Sequence, residues 1–254
     1  MEADKDLQQV KKRLLELARR SYTQGVYTFT PFLGLSKQQA YHEIRDQLSY
    51  AGCGMDGGSP LCERKIIRFG DVENWGYVDD YPIACMKIEP LNFKFAEKLT
   101  HRDFLGAIMN LGIERDMIGD IFVQEKEAYL FCLESIGSYL SEQLVQVRRT
   151  RVKCLICEIP AKLTTPSLEQ VTLSVASPRI DGVIAKLYNM ARSQSQELFG
   201  AGRIYINGRL TENPSTILKE GDVVTVRGYG RSVYKGEQGE TRKGKRRVCA
   251  EIYR

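Results

Sequence analysis

The chain has 254 residues, of which 43% are hydrophobic and 27% are charged, with a net charge of +5. This length predicts two domains or three small ones, and the composition indicates folded domains with apolar cores rather than a disordered chain. No apolar run in the sequence approaches the roughly 18–20 residues that a bilayer span requires. The charged N-terminus lacks the features of a signal peptide. We therefore expect a cytoplasmic protein with no membrane partner.

Cysteine and histidine usage offers little for metal binding or catalysis. The 7 cysteines are scattered and odd in number, which is typical of reduced, buried thiols in a chain of this length. Cys154 and Cys157 fall within a predicted strand, where residues three apart face opposite sides, so they are not expected to share a metal or a disulfide. The 2 histidines are His42 and His101. We predict no metal, no cofactor and no small-molecule substrate.

The positive charge is concentrated in the last third of the chain. Residues 178–254 contain 15 Lys and Arg against 8 Asp and Glu, whereas the remainder contains 22 against 24. Such asymmetry favours a polyanionic partner, which for a cytosolic protein is most often nucleic acid. A basic surface that serves only solubility is the alternative interpretation.

Residues 1–80 are predicted to form an N-terminal α/β domain. Apolar residues at helical spacing predict a helix over residues 5–20. Ser36 is predicted to cap a second helix that ends near Tyr50.

The glycine-rich segment 52–60 is predicted to be a flexible turn, followed by a strand over residues 65–69. Its spacing Gly52-x-Gly54-x-x-Gly57 matches a dinucleotide fingerprint in letters only. That fingerprint needs a strand before it and a helix after it, and here a predicted helix precedes it.

Residues 81–160 alternate in the order strand-helix-strand-strand-helix-strand. The predicted strands cover residues 81–91, 118–123, 128–133 and 152–159, and the predicted helices cover residues 100–113 and 136–145. This βαββαβ order predicts a ferredoxin-like, RRM-like plait. RNA-recognition modules use this architecture, but enzymes and metal carriers use it too, so function does not follow from it.

Two features of this middle domain leave alternatives open. Phe122, Tyr129 and Phe131 lie on candidate strands, where they would either stack on RNA bases or pack against a neighbouring part of the protein. The triplet His101-Arg102-Asp103 resembles the catalytic triplet of protein kinases, but the downstream Asn, the glycine loop and the strand lysine of those enzymes are absent. It fits a helix start at Thr100 better, and His101 and Arg102 are retained as accessory candidates for RNA contact.

After a predicted linker over residues 160–177, residues 178–254 are predicted to form a small αα-plus-β domain. Its first helix has an apolar face that begins at Ile180. Ser193 is predicted to cap the second helix, with Gln196 completing a capping box, and this helix ends at Gly200–Gly202. The following elements are a strand over residues 203–206, a hairpin turn at Asn207–Gly208, a strand over residues 223–227, and a mobile loop or edge hairpin over residues 228–247.

The start of the Ser193 helix is the predicted phosphate site, because free N–H groups and the helix dipole favour an anion there. Basic side chains around it would track an RNA backbone. The predicted RNA-binding residues are Arg179, Lys186, Arg192, Ser193, Gln194, Arg203, Asn207 and Arg209. Further accessory candidates are Arg231 and Lys235. No catalytic residue is predicted.

Four motifs in this segment occur in order: R-I-D at Arg179–Asp181, R-S at Arg192–Ser193, G-R-I-Y-I-N-G at Gly202–Gly208 and E-G-D at Glu220–Asp222. Together they resemble the RNA-binding domain named after small-subunit ribosomal protein four. The resemblance implies RNA binding through the basic residues, with structural roles for most of Asp181, Gly202, Asn207, Gly221 and Asp222. A departure is Ser195, because this module usually has a small apolar residue there.

Three upstream motifs extend the resemblance: TPFLGLSKQQAY over residues 30–41, CERK over residues 62–65, and LTHRDFLGAIMNLGIERDMIGDIFV over residues 99–123. They resemble the YlmH family of bacterial proteins over nearly the whole chain. This resemblance implies association with the large ribosomal subunit and with rescue of stalled nascent chains, with rRNA or tRNA as the partner RNA.

The leading hypothesis is a non-catalytic RNA-binding protein that docks on the ribosome through its basic C-terminal domain. The alternative is an RNA-modifying enzyme, a pseudouridine synthase or a methyltransferase, that uses this domain as a substrate clamp. Against it, the sequence shows no carboxylate set in a recognised catalytic context and no cofactor loop. A third hypothesis, an assembly protein for septation or membranes, is weakened by the lack of a membrane anchor.

Overall fold

The computed structural model describes residues 2–73, 75–165, 167–242 and 244–253. The chain forms two compact units, Met1–Thr165 and Pro166–Arg254, and both mix helices with antiparallel strands. The predicted α+β class is therefore confirmed, whereas the division of the first unit near residue 80 stays a prediction. In the described part of the chain, no helix combines the length and the apolar character that a membrane crossing requires.

The N-terminal part of the first unit packs two helices on a small sheet. Its elements are α1 (Glu2–Gln24), β1 (Thr28–Phe29), α2 (Leu35–Leu48), β2 (Cys53–Asp56) and β3 (Ile66–Phe69), with strand order β1-β3-β2. Leu14, Leu17 and Ala18 recur on one face of α1 and are buried against Ala40 and Ile44 of α2. The apolar spacing of the helix thus becomes its packing face.

Two local predictions in this part are wrong. Ser36 does not cap α2, because the helix begins at Leu35 and Gly34 is its N-cap residue. The buried carboxamide of Gln38 instead joins this helix start to the chain, since its Nε2 donates to the carbonyl oxygens of Leu33 and Glu63, both at 2.7 Å. The glycine-rich segment is not simply a flexible turn, because it contains β2, which pairs with β3 along its whole length.

The rest of the first unit contains the plait and a short final helix. The elements are β4 (Ile83–Pro90), α3 (His101–Met109), β5 (Ile118–Gln124), β6 (Glu127–Leu133), α4 (Gly137–Gln143), β7 (Gln146–Val147), β8 (Thr150–Cys157) and α5 (Ala161–Thr164). The strand order is β5-β6-β4-β8-β7, and all pairs are antiparallel. Without the short β7, this is the order of a ferredoxin-like plait.

Side chains from other elements pack on both faces of this sheet. On one face, Met86 and Leu130 are buried against Phe104 and Ile108 of α3. On the other face, the aromatic side chains that sequence placed on the strands pack against the N-terminal part of the same unit. There Tyr129 and Phe131 are buried with residues that include Phe32, Cys62 and Ile66. Of the two alternatives for these aromatics, packing against a neighbouring part of the protein is the one observed.

Arg64, from the CERK motif, ties the N-terminal segments to the plait. Its guanidinium donates to three backbone carbonyl oxygens, those of Phe32 (2.9 Å), Arg115 (3.1 Å) and Ile118 (2.8 Å). The backbone N–H of Arg64 donates to Asp120 Oδ2 at 2.8 Å. Desolvation, with a contribution from the nearby Arg115, lowers the pKa of Arg64 to about 10. The arginine of the CERK motif therefore has a structural role, because it holds the N-terminal segments against the plait.

The second unit is a six-stranded antiparallel sheet covered by two helices. Its elements are β9 (Leu168–Val175), α6 (Ile180–Leu187), α7 (Arg192–Gly200), β10 (Ile204–Ile206), β11 (Arg209–Leu210), β12 (Val223–Val226), β13 (Gly230–Glu240) and β14 (Arg246–Tyr253). The strand order is β11-β10-β12-β13-β14-β9. Ile180 and Ile184 of α6 and Phe199 of α7 share one core with Val224 and Val248 of the sheet.

Two predictions for this region need correction. The prediction of a linker over residues 160–177 is wrong for most of the segment, because it contains α5 and β9, and β9 pairs with β14 over its full length. Residues 228–247 do contain a hairpin, but β13 and β14 lie inside the sheet and β9 and β11 form its edges. Pro166 and Lys243, which fall in these two predictions, lie outside the described residues.

Candidate nucleic-acid interface

Asp181 is the centre of the basic cluster in the second unit. It lies in the first turn of α6, is fully buried, and accepts hydrogen bonds from two arginines that flank it. Arg179 donates from Nε (3.2 Å) and Nη2 (3.1 Å), and Arg192 donates from Nε (3.0 Å) and Nη2 (2.9 Å). Burial opposes ionisation of Asp181, but the hydrogen bonds from Arg179 and Arg192 outweigh it and lower the pKa of this carboxyl. Asp181 therefore remains a carboxylate that orients both guanidinium groups.

A groove of about 340 Å³ opens beside this cluster. Four cationic residues line it together with the single carboxylate of Asp181, namely Arg179, Lys186, Arg192 and Lys245. Among the described residues, no carboxylate lies within ion-pair distance of Lys186 or Lys245. The groove lining thus carries a net charge of +3. A concave site with this charge fits a phosphate-bearing ligand.

Lys245 was not among the predicted binding residues. It precedes β14, and the Thr241–Lys245 turn holds its backbone, since Lys245 N–H donates to Thr241 Oγ1 at 3.0 Å. The run of Lys and Arg over residues 242–247 was a visible signal in the sequence. Which of these cations reaches the groove depends on how β14 pairs in the sheet, and the sequence does not show that pairing.

The predicted cap of α7 is displaced by two residues. The helix begins at Arg192 after Ala191, and Gln194 Oε1 accepts the N–H of Ala191 at 2.9 Å. The capping role predicted for Ser193 and Gln196 is therefore wrong, because the chain already turns at Asn189, whose φ is 49°. Ser193 lies exposed in the first turn of the helix, beside the groove lining rather than in it.

The remaining predicted residues of this domain lie on the β10–β11 hairpin and do not line the groove. Arg203 and Arg209 are exposed there. Asn207 occupies the turn with a φ of 51°, and its carboxamide is engaged within the protein. Its Nδ2 donates to Asp222 Oδ1 and its Oδ1 accepts the N–H of Val223, both at 2.8 Å. These bonds favour a structural role for Asn207.

Two family models match separate segments of this chain. Residues 77–160 match the family model described as "Putative RNA-binding domain in YlmH", and residues 178–224 match the S4 domain. The chain thus contains a segment that matches the YlmH-type RNA-binding domain, followed by an S4 domain. The groove, the Asp181 cluster and the Asn207 turn all include residues of the S4 domain.

Individual proteins are similar to the chain over different shares of its length. The chain is similar to the ribosome-associated protein quality control protein P2 of Bacillus subtilis (strain 168), at 29% identity over 93% of this chain and 91% of that protein. The small ribosomal subunit protein uS4 of Herpetosiphon aurantiacus is 38% identical over 28% of this chain and 34% of its own length. Among solved structures, the cell division protein ylmH from Streptococcus pneumoniae matches 61% of this chain and 91% of that chain, with 20% identity and a TM-score of 0.48.

Ser195 is the S4-domain position where the sequence departs from the usual small apolar residue. It is fully buried, and its Oγ lies 3.1 Å from the carbonyl oxygen of Asp181 and 3.0 Å from that of Arg192. A hydroxyl in this place has an acceptor on each of the two helices that carry the arginines. The departure therefore does not disturb the packing of α6 on α7.

The accessory candidates are dispersed. In the S4-containing unit, Arg231 lies over the ring of Tyr253 at 5.2 Å, and Lys235 pairs with Glu251 at 3.6 Å. In the YlmH-type domain, His101 and Arg102 are exposed in the first turn of α3. The helix start predicted there is confirmed, because Asp103 Oδ2 accepts the N–H of Thr100 at 2.8 Å.

Proposed function

We propose that this chain is a non-catalytic RNA-binding protein of the cytoplasm that works on the ribosome and docks through the groove of its S4 domain. The observation that carries this proposal is the groove itself, which Arg179, Lys186, Arg192 and Lys245 line together with one buried carboxylate. A ribose-phosphate strand presents the complementary charge at regular spacing. Arginine adds a planar fork of donors that matches phosphate oxygens.

The geometry of Arg192 fits such a contact. Its Nε and one N–H of Nη2 are directed to Asp181, which leaves Nη1 and the second Nη2 hydrogen for a ligand. The guanidinium plane is therefore fixed before RNA arrives, and little side-chain entropy is lost on binding. Lys186 and Lys245 add mobile point charges on the same groove.

The ribosome is the proposed location of this RNA. A relative aligned over nearly the whole chain bears the name ribosome-associated protein quality control protein P2, and further relatives of the S4 domain are ribosomal proteins. At finer detail, we propose that the ligand is rRNA or tRNA on a large subunit that carries a stalled nascent chain, and that the protein assists its rescue.

Co-sedimentation with purified large ribosomal subunits at rising salt tests this proposal. The wild-type chain is expected to co-sediment, with log K falling linearly with log salt, and Lys186→Ala/Arg192→Ala is expected to reduce that slope by about two. A chain that stays in the supernatant at low salt, while the subunits remain intact, would contradict the proposal.

A separate experiment tests the proposal that the chain is non-catalytic. The protein is incubated with ribosomal RNA, with and without S-adenosylmethionine, and the nucleosides are then separated by chromatography with mass detection. Unchanged nucleosides are expected. A new methylated nucleoside or pseudouridine would favour the RNA-modifying alternative.

A further inference from the structure

Of the three aromatic residues on the sheet of the YlmH-type domain, Tyr129 and Phe131 are buried and Phe122 is partly buried against Phe131. RNA-binding plaits stack bases on aromatic side chains of the open sheet face. Here Tyr129 and Phe131 are buried under the N-terminal segments, and Gly58 lies so close to Phe131 that a Cβ there would be 2.5 Å from the ring. This sheet face is therefore a poor site for base stacking, and another surface of residues 77–160 is better suited to contact RNA.

The segment between β4 and α3 presents such a surface. Leu91, Phe93 and Phe95 are 61%, 50% and 76% exposed, and Phe95 is the most exposed of the large apolar side chains in the described part of the chain. Phenylalanine has no polar atom to hydrogen-bond with water, so exposing two of them in three residues is unfavourable without a partner. Single exposed apolar residues need no explanation, but this group does.

Three hydrogen bonds hold this segment at the end of the sheet where β4 stops. Leu91 N–H donates to the carbonyl oxygen of Arg151 at 3.0 Å, and Lys126 Nζ donates to that of Phe93 at 2.6 Å. Glu97 N–H donates to Thr150 Oγ1 at 3.2 Å. The two phenylalanines therefore project from an anchored loop.

Cations lie on this segment and on the adjoining β7–β8 segment. Lys94 Nζ lies 5.7 Å from the centroid of the Phe95 ring. Arg149 and Arg151 are exposed on the adjoining β7–β8 segment, and no carboxylate of a described residue forms an ion pair with either of them. Aromatic faces interleaved with unpaired cations are the combination that single-stranded nucleic-acid sites use, since rings stack on bases and cations contact phosphates.

We propose that Phe93 and Phe95, with Arg149 and Arg151, form a second RNA contact that binds unpaired nucleotides by base stacking. This inference rests on the proposed function, because it takes RNA as the partner of the chain, and it adds a site outside the S4 domain. A purely apolar protein partner would not require the unpaired arginines on the adjoining segment. An anionic lipid surface would use the same charges and would accept phenylalanine or leucine alike, so the leucine variant below distinguishes it from RNA.

The test is a titration of the full chain with a fluorescein-labelled single-stranded oligouridine. Phe93→Ala/Phe95→Ala is expected to weaken binding roughly 5-fold to 100-fold at every salt concentration, with no change in the salt slope, because stacking releases no counterions. Arg149→Gln/Arg151→Gln is expected to lower the slope by about 0.7 for each phosphate that the variant no longer neutralises. Tyr22→Ala, which removes an exposed aromatic side chain from α1, is the control and is expected to bind like the wild type.

Two conservative variants separate stacking from apolar docking. Phe95→Tyr keeps a stacking ring and is expected to bind like the wild type, whereas Phe95→Leu keeps the apolar character alone and is expected to weaken binding like alanine. Equal binding by the leucine variant would overturn the inference. Sedimentation with phosphatidylglycerol vesicles that is abolished in Phe93→Ala/Phe95→Ala, while RNA binding is unchanged, would also overturn it and assign the surface to lipid.

The two proposals fail in different ways. The second RNA site is wrong, and the proposed function stands, if the wild-type chain co-sediments with large subunits but does not bind oligouridine. The same conclusion follows if Phe93→Ala/Phe95→Ala binds oligouridine as tightly as the wild type does. If the wild-type chain binds neither ribosomal subunits nor oligouridine, both are wrong.

Discussion

Asp181 Oδ2 accepts two hydrogen bonds from Arg192, from Nε at 3.0 Å and from Nη2 at 2.9 Å. The side chain of Asp181 is completely buried, whereas that of Arg192 is 57% exposed. The same carboxylate oxygen lies 3.1 Å from Nη2 of Arg179. A buried anion therefore sets the direction of two cations whose outer N–H groups remain accessible. This explains how an acidic residue can be part of a site that binds a polyanion.

Asp181→Asn is expected to weaken both the S4 domain and its binding of RNA. The substitution keeps the size of the side chain but removes the charged acceptor shared by Arg179 and Arg192. Since both guanidinium groups are partly solvated, we expect a loss of about 1–3 kcal/mol in unfolding free energy. RNA affinity should fall even though the net charge rises, because the arginines lose their fixed orientation. Hydrogen exchange of α6 and α7 and an RNA titration measure the two effects, and tighter RNA binding by the variant would contradict the orienting role.

The stabilising effect of Asp181 is expected to depend on pH. Its folded pKa lies below the ordinary value of 3.8, because hydrogen bonds from the arginines outweigh the effect of burial. A carboxyl with a lowered folded pKa stabilises the protein above its unfolded pKa and loses this contribution as the pH falls through the folded value. The difference in unfolding free energy between wild type and Asp181→Asn should hold from about pH 7 to about pH 5 and narrow below about pH 4. A difference that widens in acid would contradict this assignment.

The Asp181 cluster also shows which parts of the site can be predicted from the sequence and which cannot. Arg179, Lys186 and Arg192 follow from the motifs of the segment, and the structure brings these three to one groove. The bridging role of Asp181 was not predicted, because it depends on how α6 packs against α7. Lys245 enters the groove from a distant hairpin through strand pairing, and such non-local pairing leaves no local pattern to find.

The same distinction holds for the fold. The plait and the Asn207–Gly208 turn were predicted because periodicity and turn chemistry are local signals. β9 was predicted as part of a linker, although Val171, Leu173 and Val175 alternate with polar residues, and this local strand signal was missed. Its partner, β14, lies far along the chain, so the pairing itself leaves no local pattern. The start of α2 was misplaced because the tertiary hydrogen bonds of Gln38, rather than a capping serine, define that end.

Lys245 lines the groove but was not predicted from the sequence. We expect it to contribute to RNA binding as Arg192 does. Arg192→Ala and Lys245→Ala are each expected to weaken RNA affinity and to lower the salt slope by about one. Arg13→Ala is a matched control, because Arg13 is 62% exposed and has a carboxylate partner, Glu16. Its slope is expected to equal that of the wild type. An unchanged slope for Lys245→Ala would remove this residue from the site.

Asn207 is expected to affect stability without acting as a phosphate contact. Asn207→Gly keeps the left-handed turn but loses the two hydrogen bonds to Asp222 and Val223, so we expect a loss of about 1 kcal/mol. Asn207→Ala adds backbone strain, for a total of about 2 kcal/mol. Hydrogen exchange of β10 and β12 measures the stability of both variants and tests whether Asn207→Ala loses more than Asn207→Gly. The salt slope of RNA binding should not change in Asn207→Gly, and a lower slope would restore Asn207 as a residue that contacts RNA.

Arg64 is expected to be a principal stabilising residue of the first unit. Arg64→Ala leaves three carbonyl oxygens without their donor, and we expect a loss of about 2–3 kcal/mol in unfolding free energy. Arg64→Lys should recover only part of this, because one ammonium cannot reproduce the planar fork of a guanidinium.

Trp75, the single tryptophan of the chain, lies in this unit against Tyr27, with ring centroids 4.9 Å apart. Tryptophan fluorescence during denaturation therefore reports the first unit selectively, while the S4 domain contributes no tryptophan signal. Arg20→Ala is the control, since the Arg20 side chain is exposed and its Nε donates to Gln24 Oε1 on the same helix. If the fluorescence midpoint of Arg64→Ala matched that of Arg20→Ala, the three carbonyl contacts would not stabilise the unit as we infer.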